Sequence, residues 1–216
     1  MGTTHLKAYK SVPDAEIVAV ASEDEKKLGG DLSQVQGNLG GPGEKFDFSG
    51  VRKYRELLGA VNDADVEAVD ICLPTHLHSP IALEALRAGK HVLVEKPMAL
   101  TEEAAAEMLG EADRSGKILM VGQVLRFVPA YRAVRTAILS REFGEIRSVF
   151  LRRRCAAPFW NLWLGDVKRS GGGIFDLLIH DVDFAIHLFG SPDRVSATGY
   201  EDLEGGIDTL NAAFQW

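Results

Sequence analysis

The sequence predicts an α/β protein in two parts: a doubly wound parallel sheet, cut at its start, over residues 1–121, then an α+β domain with antiparallel strands over 122–216. Three observations carry this. The first part alternates helical segments with short, continuously apolar runs, as parallel strands covered on both faces require. Glycine or proline (Pro74, Gly89, Gly116) punctuates these segments where helices and strands should end. The second part holds one strongly apolar helix and two late segments that alternate apolar with polar, the pattern of antiparallel strands with one wet face.

In chain order, residues 3–12 read as a short helix closed at Pro13-Asp14. Residues 16–21 (EIVAVA) read as a buried strand, and 24–28 as the start of a helix. Residues 29–50 hold seven glycines and one proline around Gly40-Gly41-Pro42-Gly43, which predicts a long flexible loop. Helical spacing resumes over 52–61. Residues 68–73 (AVDICL) form a strand ended by Pro74; 80–88 a helix with Gly89 at its C-cap; 91–94 a strand. Thr101 is the expected N-cap of a helix over 101–115, with Ala104, Ala105, Met108 and Leu109 facing inward and Gly116 ending it. A strand follows at 118–121. Beyond it come a helix at 129–140, a longer strand at 146–154, a largely buried helix at 174–189, and strands at 194–200 and 209–216. Both ends read as cut: the chain opens where a glycine-rich turn would close and stops in mid-strand on Trp216.

Composition removes several function classes. Lys plus Arg is 24 and Asp plus Glu is 31 among 216 residues, a formal charge of −7, which argues against a nucleic-acid backbone binder. Cys72 and Cys155 are too few for a disulfide framework, so a cytoplasmic setting is expected. No apolar run approaches the roughly 18 residues of a membrane helix. The N-terminus lacks the basic and apolar regions of a signal peptide, and Leu6 fills the position where myristoylation needs Ser or Thr.

Four groups of residues could carry chemistry. On the 174–189 helix, Asp176, His180, Asp183 and His187 recur at i, i+4, i+7 and i+11 and share one stripe. Such groups on an apolar helix are either a buried hydrogen-bonded network or the lining of an active site. In the second reading Asp176 and His180 form a carboxylate–imidazole pair for acid–base work. Gly171-Gly172-Gly173 before the helix allows close backbone approach to a ligand. Glu95-Lys96-Pro97 follows the strand HVLV, where open α/β sheets place ligands; Lys96 is a surface lysine or a donor to a substrate oxygen. Pro74-Thr75-His76-Leu77-His78 occupies a second strand end, as a helix-leading loop or a ligand contact, and with Cys72 it lacks a recognisable zinc spacing. Gly2-Thr3-Thr4-His5 opens a helix whose amides could meet a pyrophosphate. Arg152-Arg153-Arg154 reads as a solvated edge, because neighbours on a strand face opposite sides.

Taken together, Gly2-x-x-His5-x-x-Ala8-Tyr9, PDAEIVAVAS (13–22), AVDICLPTHLH (68–78), AGKHVLVEKPMALT (88–101), GQVLRFVPAYRAVR (122–135) and GGGIFDLLIHDVDFAIHLFG (171–190) resemble the Gfo/Idh/MocA oxidoreductases, the relatives of glucose–fructose oxidoreductase and inositol 2-dehydrogenase. The resemblance spans nearly the whole chain. It implies a Rossmann domain that binds NAD or NADP, with hydride transfer at a hydroxyl-bearing carbon of a sugar, cyclitol or related polyol. By position it implies Lys96, Asp176 and His180 as catalytic residues. Gly2, Ser22, Leu73, Pro74, Thr75, His78, Glu95, Lys96 and Arg126 would line the cofactor, and no metal is implied. It further implies a homo-oligomer, dimer or tetramer, for a full-length protein, with no nucleic-acid or membrane partner.

Three departures from the family pattern stand out. The first strand and the first two fingerprint glycines are absent, and so is the family's sequence after Trp216. Ser22 stands where NAD-preferring members carry Asp: it leaves room for a 2′-phosphate that Glu23 would repel, while Lys26 and Lys27 could reach back, so NAD and NADP both stay open. Two rivals are a non-catalytic dinucleotide- or partner-binding protein of the same fold, and a metal-dependent hydrolase using His76, His78 and His180.

Overall fold

A computed structural model of the chain describes residues 1–35, 41, 43–155, 162–200 and 209–216. They form two compact units, Met1–Leu73 with Leu77–Met120, and Pro74–His76 with Val121–Trp216.

The first unit runs α1 (Gly2–Tyr9), β1 (Ala19–Ala21), α2 (Glu25–Leu28), β2 (Arg52–Tyr54), α3 (Leu57–Val61), β3 (Ala68–Ile71), α4 (His78–Arg87), β4 (His91–Val94) and α5 (Glu102–Ser115), with β5 (Leu119–Val121) at its end. β1 pairs in parallel with β2, Ala19 opposite Arg52. β3 pairs in parallel with β4, Ala68 opposite His91 and Ile71 opposite Val94, and β5 lies beside β4. The parallel strands therefore fall into two hydrogen-bonded groups, β1–β2 and β3–β4–β5.

The core forms where the apolar runs predict it. Ile71, Val92 and Val94 of the strands, Ala82, Ala85 and Leu86 of α4 and Met108 of α5 are all buried. Each large side chain buried there is worth about 1.5–3 kcal/mol relative to exposure. α5 begins where Thr101 Oγ1 accepts the Ala104 N–H at 3.2 Å, and ends at Gly116, whose φ of 64° favours glycine. Its inward face sits differently from the expected one: Met108, Glu111 and Ala112 are buried, whereas Leu109 is exposed.

Residues 52–61 are not one helix. Arg52–Tyr54 is a strand paired with β1, and the helix begins only at Leu57. The strand reads as helical because its residues are polar: Arg52 and Lys53 are exposed. Arg52 pairs with Asp65 at 2.8 Å, and the Tyr54 hydroxyl donates to Asp63 at 2.9 Å. In the loop that follows α2, Phe46 N donates to Gly30 O at 2.8 Å and Leu32 N to Glu44 O at 3.1 Å. Gly40 and Pro42 lie outside the described residues.

The second unit holds α6 (Pro129–Leu139), α7 (Val167–Ser170), α8 (Gly173–Phe189), β6 (Arg194–Tyr200) and β7 (Thr209–Gln215). β6 and β7 are antiparallel, Arg194 opposite Gln215 and Tyr200 opposite Thr209. The expected strand over 146–154 does not form; these residues are exposed and outside any ladder. α8 is also less buried than its composition predicts: Phe184 and Ala185 are buried, Ile186 is exposed, and most of its other described side chains are half-buried. Every residue of β6 is exposed, so the expected half-buried alternation holds only along part of β7. Tyr131 packs edge-on against Phe184 with ring centres 4.8 Å apart, joining α6 to α8.

Candidate functional site

In the first unit, the candidate residues gather at the carboxyl ends of β3 and β4, where a parallel sheet presents its ligand crevice. Glu95 and Lys96 follow β4 directly. Glu95 is 6% exposed, and its Oε2 accepts the Lys96 backbone N–H at 3.1 Å. Lys96 is half-buried, and its peptide bond to the buried Pro97 is cis. Burial alone would raise the Glu95 carboxyl, but the hydrogen bond and charge of His5 outweigh it and hold Glu95 below the usual carboxylate range.

His5 is the residue whose role the sequence conceals. It sits on α1 and donates through Nδ1 to Asp70 Oδ2 at 2.8 Å and through Nε2 to Glu95 Oε1 at 2.9 Å. The Tyr9 hydroxyl also donates to Asp70 Oδ2, at 3.1 Å, and Cys72 Sγ lies 3.4 Å from His5 Nδ1. The hydrogen bond to Asp70, then those to Cys72 and Glu95, push His5 up to about 12 against the opposing effect of burial. Burial and Asp70 likewise push Tyr9 up to about 12, and burial raises the Cys72 thiol. His5, Asp70 and Cys72 offer nitrogen, oxygen and sulfur within 4.8 Å of one another. Both ring nitrogens are engaged by carboxylates, however, so the arrangement is a proton-bridged cluster.

His78 is 1% exposed, with Nδ1 2.7 Å from Pro97 O and Nε2 2.8 Å from Leu73 O. The ring thus ties the Leu73 loop to the Pro97 turn. Ser22 follows β1, donates its N–H to Tyr54 O at 3.0 Å, and accepts the Asp24 N–H on Oγ at 3.2 Å. A shallow open groove beside it is lined by Glu23, Arg55, Glu56, Leu57, Leu58 and Ile81. Arg55 is paired with Glu25 at 3.0 Å. Gly2 opens α1, which has no side-chain N-cap bond, and the buried Thr3 Oγ1 next to it has no hydrogen-bond partner among the described residues. An uncapped helix start beside an unused hydroxyl suits a dinucleotide pyrophosphate.

In the second unit, Asp176 and His180 are one helical turn apart on α8, both half-buried. Arg126 makes a two-pronged pair with Asp183, its Nε donating at 2.9 Å, so this arginine is braced from α8. Arg153, exposed like its neighbours Arg152 and Arg154, also pairs with α8: its Nε and second guanidinium nitrogen reach Asp181 at 2.9 and 2.8 Å. Thr75 is buried and Pro74 half-buried. The Arg126 and Arg153 partners lie 57 and 28 residues away, beyond the reach of any local motif.

The "Oxidoreductase family, NAD-binding Rossmann fold" matches residues 1–123, and the "GFO/IDH/MocA C-terminal domain" matches residues 131–215. Among curated relatives, the inositol 2-dehydrogenase of Rhizobium meliloti (strain 1021) is 34% identical over 92% of this chain and 55% of its own length. The D-glucoside 3-dehydrogenase of Escherichia coli (strain K12) is 32% identical over 87% of this chain and 50% of its own. The solved WlbA dehydrogenase of Bordetella pertussis, in complex with NADH and UDP-GlcNAcA, superposes with a TM-score of 0.80 at 25% identity over 100% of this chain and 65% of that one. The chain thus spans about half the length of these curated relatives. With matches to both of the family's domains, it belongs to the GFO/IDH/MocA oxidoreductases.

Proposed function

We propose that this chain carries the nucleotide-binding and catalytic residues of an NAD-dependent dehydrogenase acting on a hydroxyl-bearing carbon of a sugar, cyclitol or related polyol. The observation that carries the reading is the Glu95-Lys96-Pro97 turn at the carboxyl end of β4, pinned through Glu95 within a family NAD-binding fold. The named inositol and glucoside dehydrogenases among its relatives support the substrate class.

A bound nicotinamide supplies the acceptor of the hydride that leaves the substrate carbon. The chain's own residues do the rest. His180 takes the hydroxyl proton as the alcohol becomes a carbonyl. Lys96 stabilises the negative charge growing on that oxygen, an oxyanion-type role. Asp176 orients His180 and favours its protonated form. In the reverse direction the same groups return the proton. The pyrophosphate suits the start of α1, with Gly2 and Thr3. Arg126, held by Asp183, and the Leu73–Thr75 loop are read as the nicotinamide-side contacts.

NAD is favoured over NADP by the groove after β1. Glu23 adjoins Ser22, the position where such folds place the acid that bonds the ribose 2′-hydroxyl. Glu23 and Glu56 both line the groove and would repel a 2′-phosphate, while Arg55 is already paired with Glu25.

The test is absorbance at 340 nm with NAD or NADP against a panel of inositols, free sugars and glucosides. The expected result is cofactor reduction by at least one polyol, faster with NAD. Dinucleotide binding without turnover on any member would overturn the enzymatic reading and leave a binding protein of the same fold.

A further inference from the structure

We infer that His5 is a positioning residue for the Glu95-Lys96-Pro97 turn, its ring fixing the Glu95 carboxylate in the orientation that also accepts the Lys96 backbone N–H. The inference rests on the reading of Lys96 as the residue at the substrate oxygen. It adds a group that neither the motif around Lys96 nor the acid–base pair on α8 contains.

The geometry is specific. Glu95 uses its two oxygens differently, Oε1 toward His5 Nε2 at 2.9 Å and Oε2 toward the Lys96 N–H at 3.1 Å. A carboxylate is planar, so fixing one oxygen restricts the other, and with it the backbone from which the Lys96 side chain departs. The far side of the ring is anchored as firmly, to Asp70 at the end of β3, whose Oδ2 also receives the Tyr9 hydroxyl. His5 therefore joins three elements, α1, β3 and the turn after β4, through one rigid plane.

The chemistry is equally specific. Asp70 and Glu95 would repel one another across a part-buried space without a cation between them. Only a doubly protonated imidazole donates to both at once. The hydrogen bonds that raise His5 and the charge that lowers Glu95 both fit this state. A glutamine at position 5 lacks both the positive charge and the two N–H donors held in fixed 1,3 positions on one ring. A residue that only filled space would have no such requirement.

The test uses the whole chain and needs no turnover. Ring-nitrogen NMR of His5 should show both nitrogens protonated up to pH 9, and Glu95→Gln should move its titration toward neutral pH. Amide exchange at Lys96 should accelerate about tenfold or more in His5→Gln, with the core amide of Val92 unchanged. A His5 ring that titrates near 6.5 in the unmodified protein, or a folded His5→Gln protein with an unaltered Lys96 amide, overturns the inference. If His5→Gln does not fold, Glu95→Gln takes its place: the Lys96 amide should exchange faster there too, and an unaltered rate overturns the inference. Given a polyol that is turned over, His5→Gln should also lower kcat by about 10–100-fold while NAD affinity changes less than about threefold, since small displacements of a reacting group cost this much. Absence of turnover in the unmodified protein would overturn the enzymatic reading alone, because the ring and amide measurements report on His5 without it.

Discussion

At the scale of single residues, two groups make sharp predictions. His5 has a folded-state pKa of about 12 against an ordinary 6.5. The stability it contributes is therefore complete below pH 6.5 and is lost as pH rises toward 12. Glu95 has the opposite sign: its lowered pKa contributes above the ordinary carboxylate range and is lost on acidification. Melting temperatures at pH 7 and pH 10 should thus fall further in the unmodified protein than in His5→Gln; parallel slopes would show that the ring is not charged. Glu23 gives the second prediction. Glu23→Gln should raise kcat/KM for NADP about 5–10-fold and change that for NAD less, as removing one repelling charge near a surface phosphate is worth about 1 kcal/mol. An unchanged ratio would place the ribose elsewhere. Lys96 and the Asp176–His180 pair could be picked out from sequence because a strand end and a helical repeat single them out. His5 could not, since its carboxylate partners lie 65 and 90 residues away.

At the scale of elements, legibility follows how much of the structure is local. α5 announces itself in both caps, and the prediction attached to it is correspondingly direct. Thr101→Ala removes the hydroxyl that accepts the Ala104 N–H and should cost about 1 kcal/mol, lowering Tm by about 2–4 °C. A thermal melt decides it, and an unchanged Tm would mean that water replaces the cap without loss. β2 shows the converse. Arg52-Lys53-Tyr54 carries no apolar run, and it is a strand because β1 offers it a parallel edge and because Asp63 and Asp65 meet its charges. Residues 146–154 carry β-branched and aromatic residues that suggest a strand. Propensity there describes a half-buried pleated surface, and Phe150, 91% exposed, has none to join among the described residues. The inward face of α5 departs from its apolar pattern for a related reason: Glu111 is buried because Arg87 and Arg114 pair with it, a contact that no hydrophobic pattern encodes.

At the scale of the whole molecule, the proposed chemistry assigns Lys96, after β4, and Asp176 with His180, on α8, to one reaction. A hydroxyl oxidation of the kind proposed requires the proton acceptor and the oxyanion partner to act on the same oxygen. That requirement has a kinetic signature independent of any distance. Lys96→Ala and His180→Ala should each lower kcat by about 100- to 10,000-fold, the usual range for a lost acid–base or oxyanion group. Neither should weaken NAD binding more than a few-fold, because each acts mainly as charge develops in the transition state. Groups that serve one transition state as a unit are strongly non-additive, so the double variant should be about as slow as the slower single one. Stopped-flow turnover gives the three kcat values, and fluorescence titration gives the three NAD affinities. Multiplicative losses in kcat would mean that the two residues serve separate steps. Equal losses in kcat and in NAD affinity for Lys96→Ala would move that lysine from the reacting oxygen to the cofactor wall.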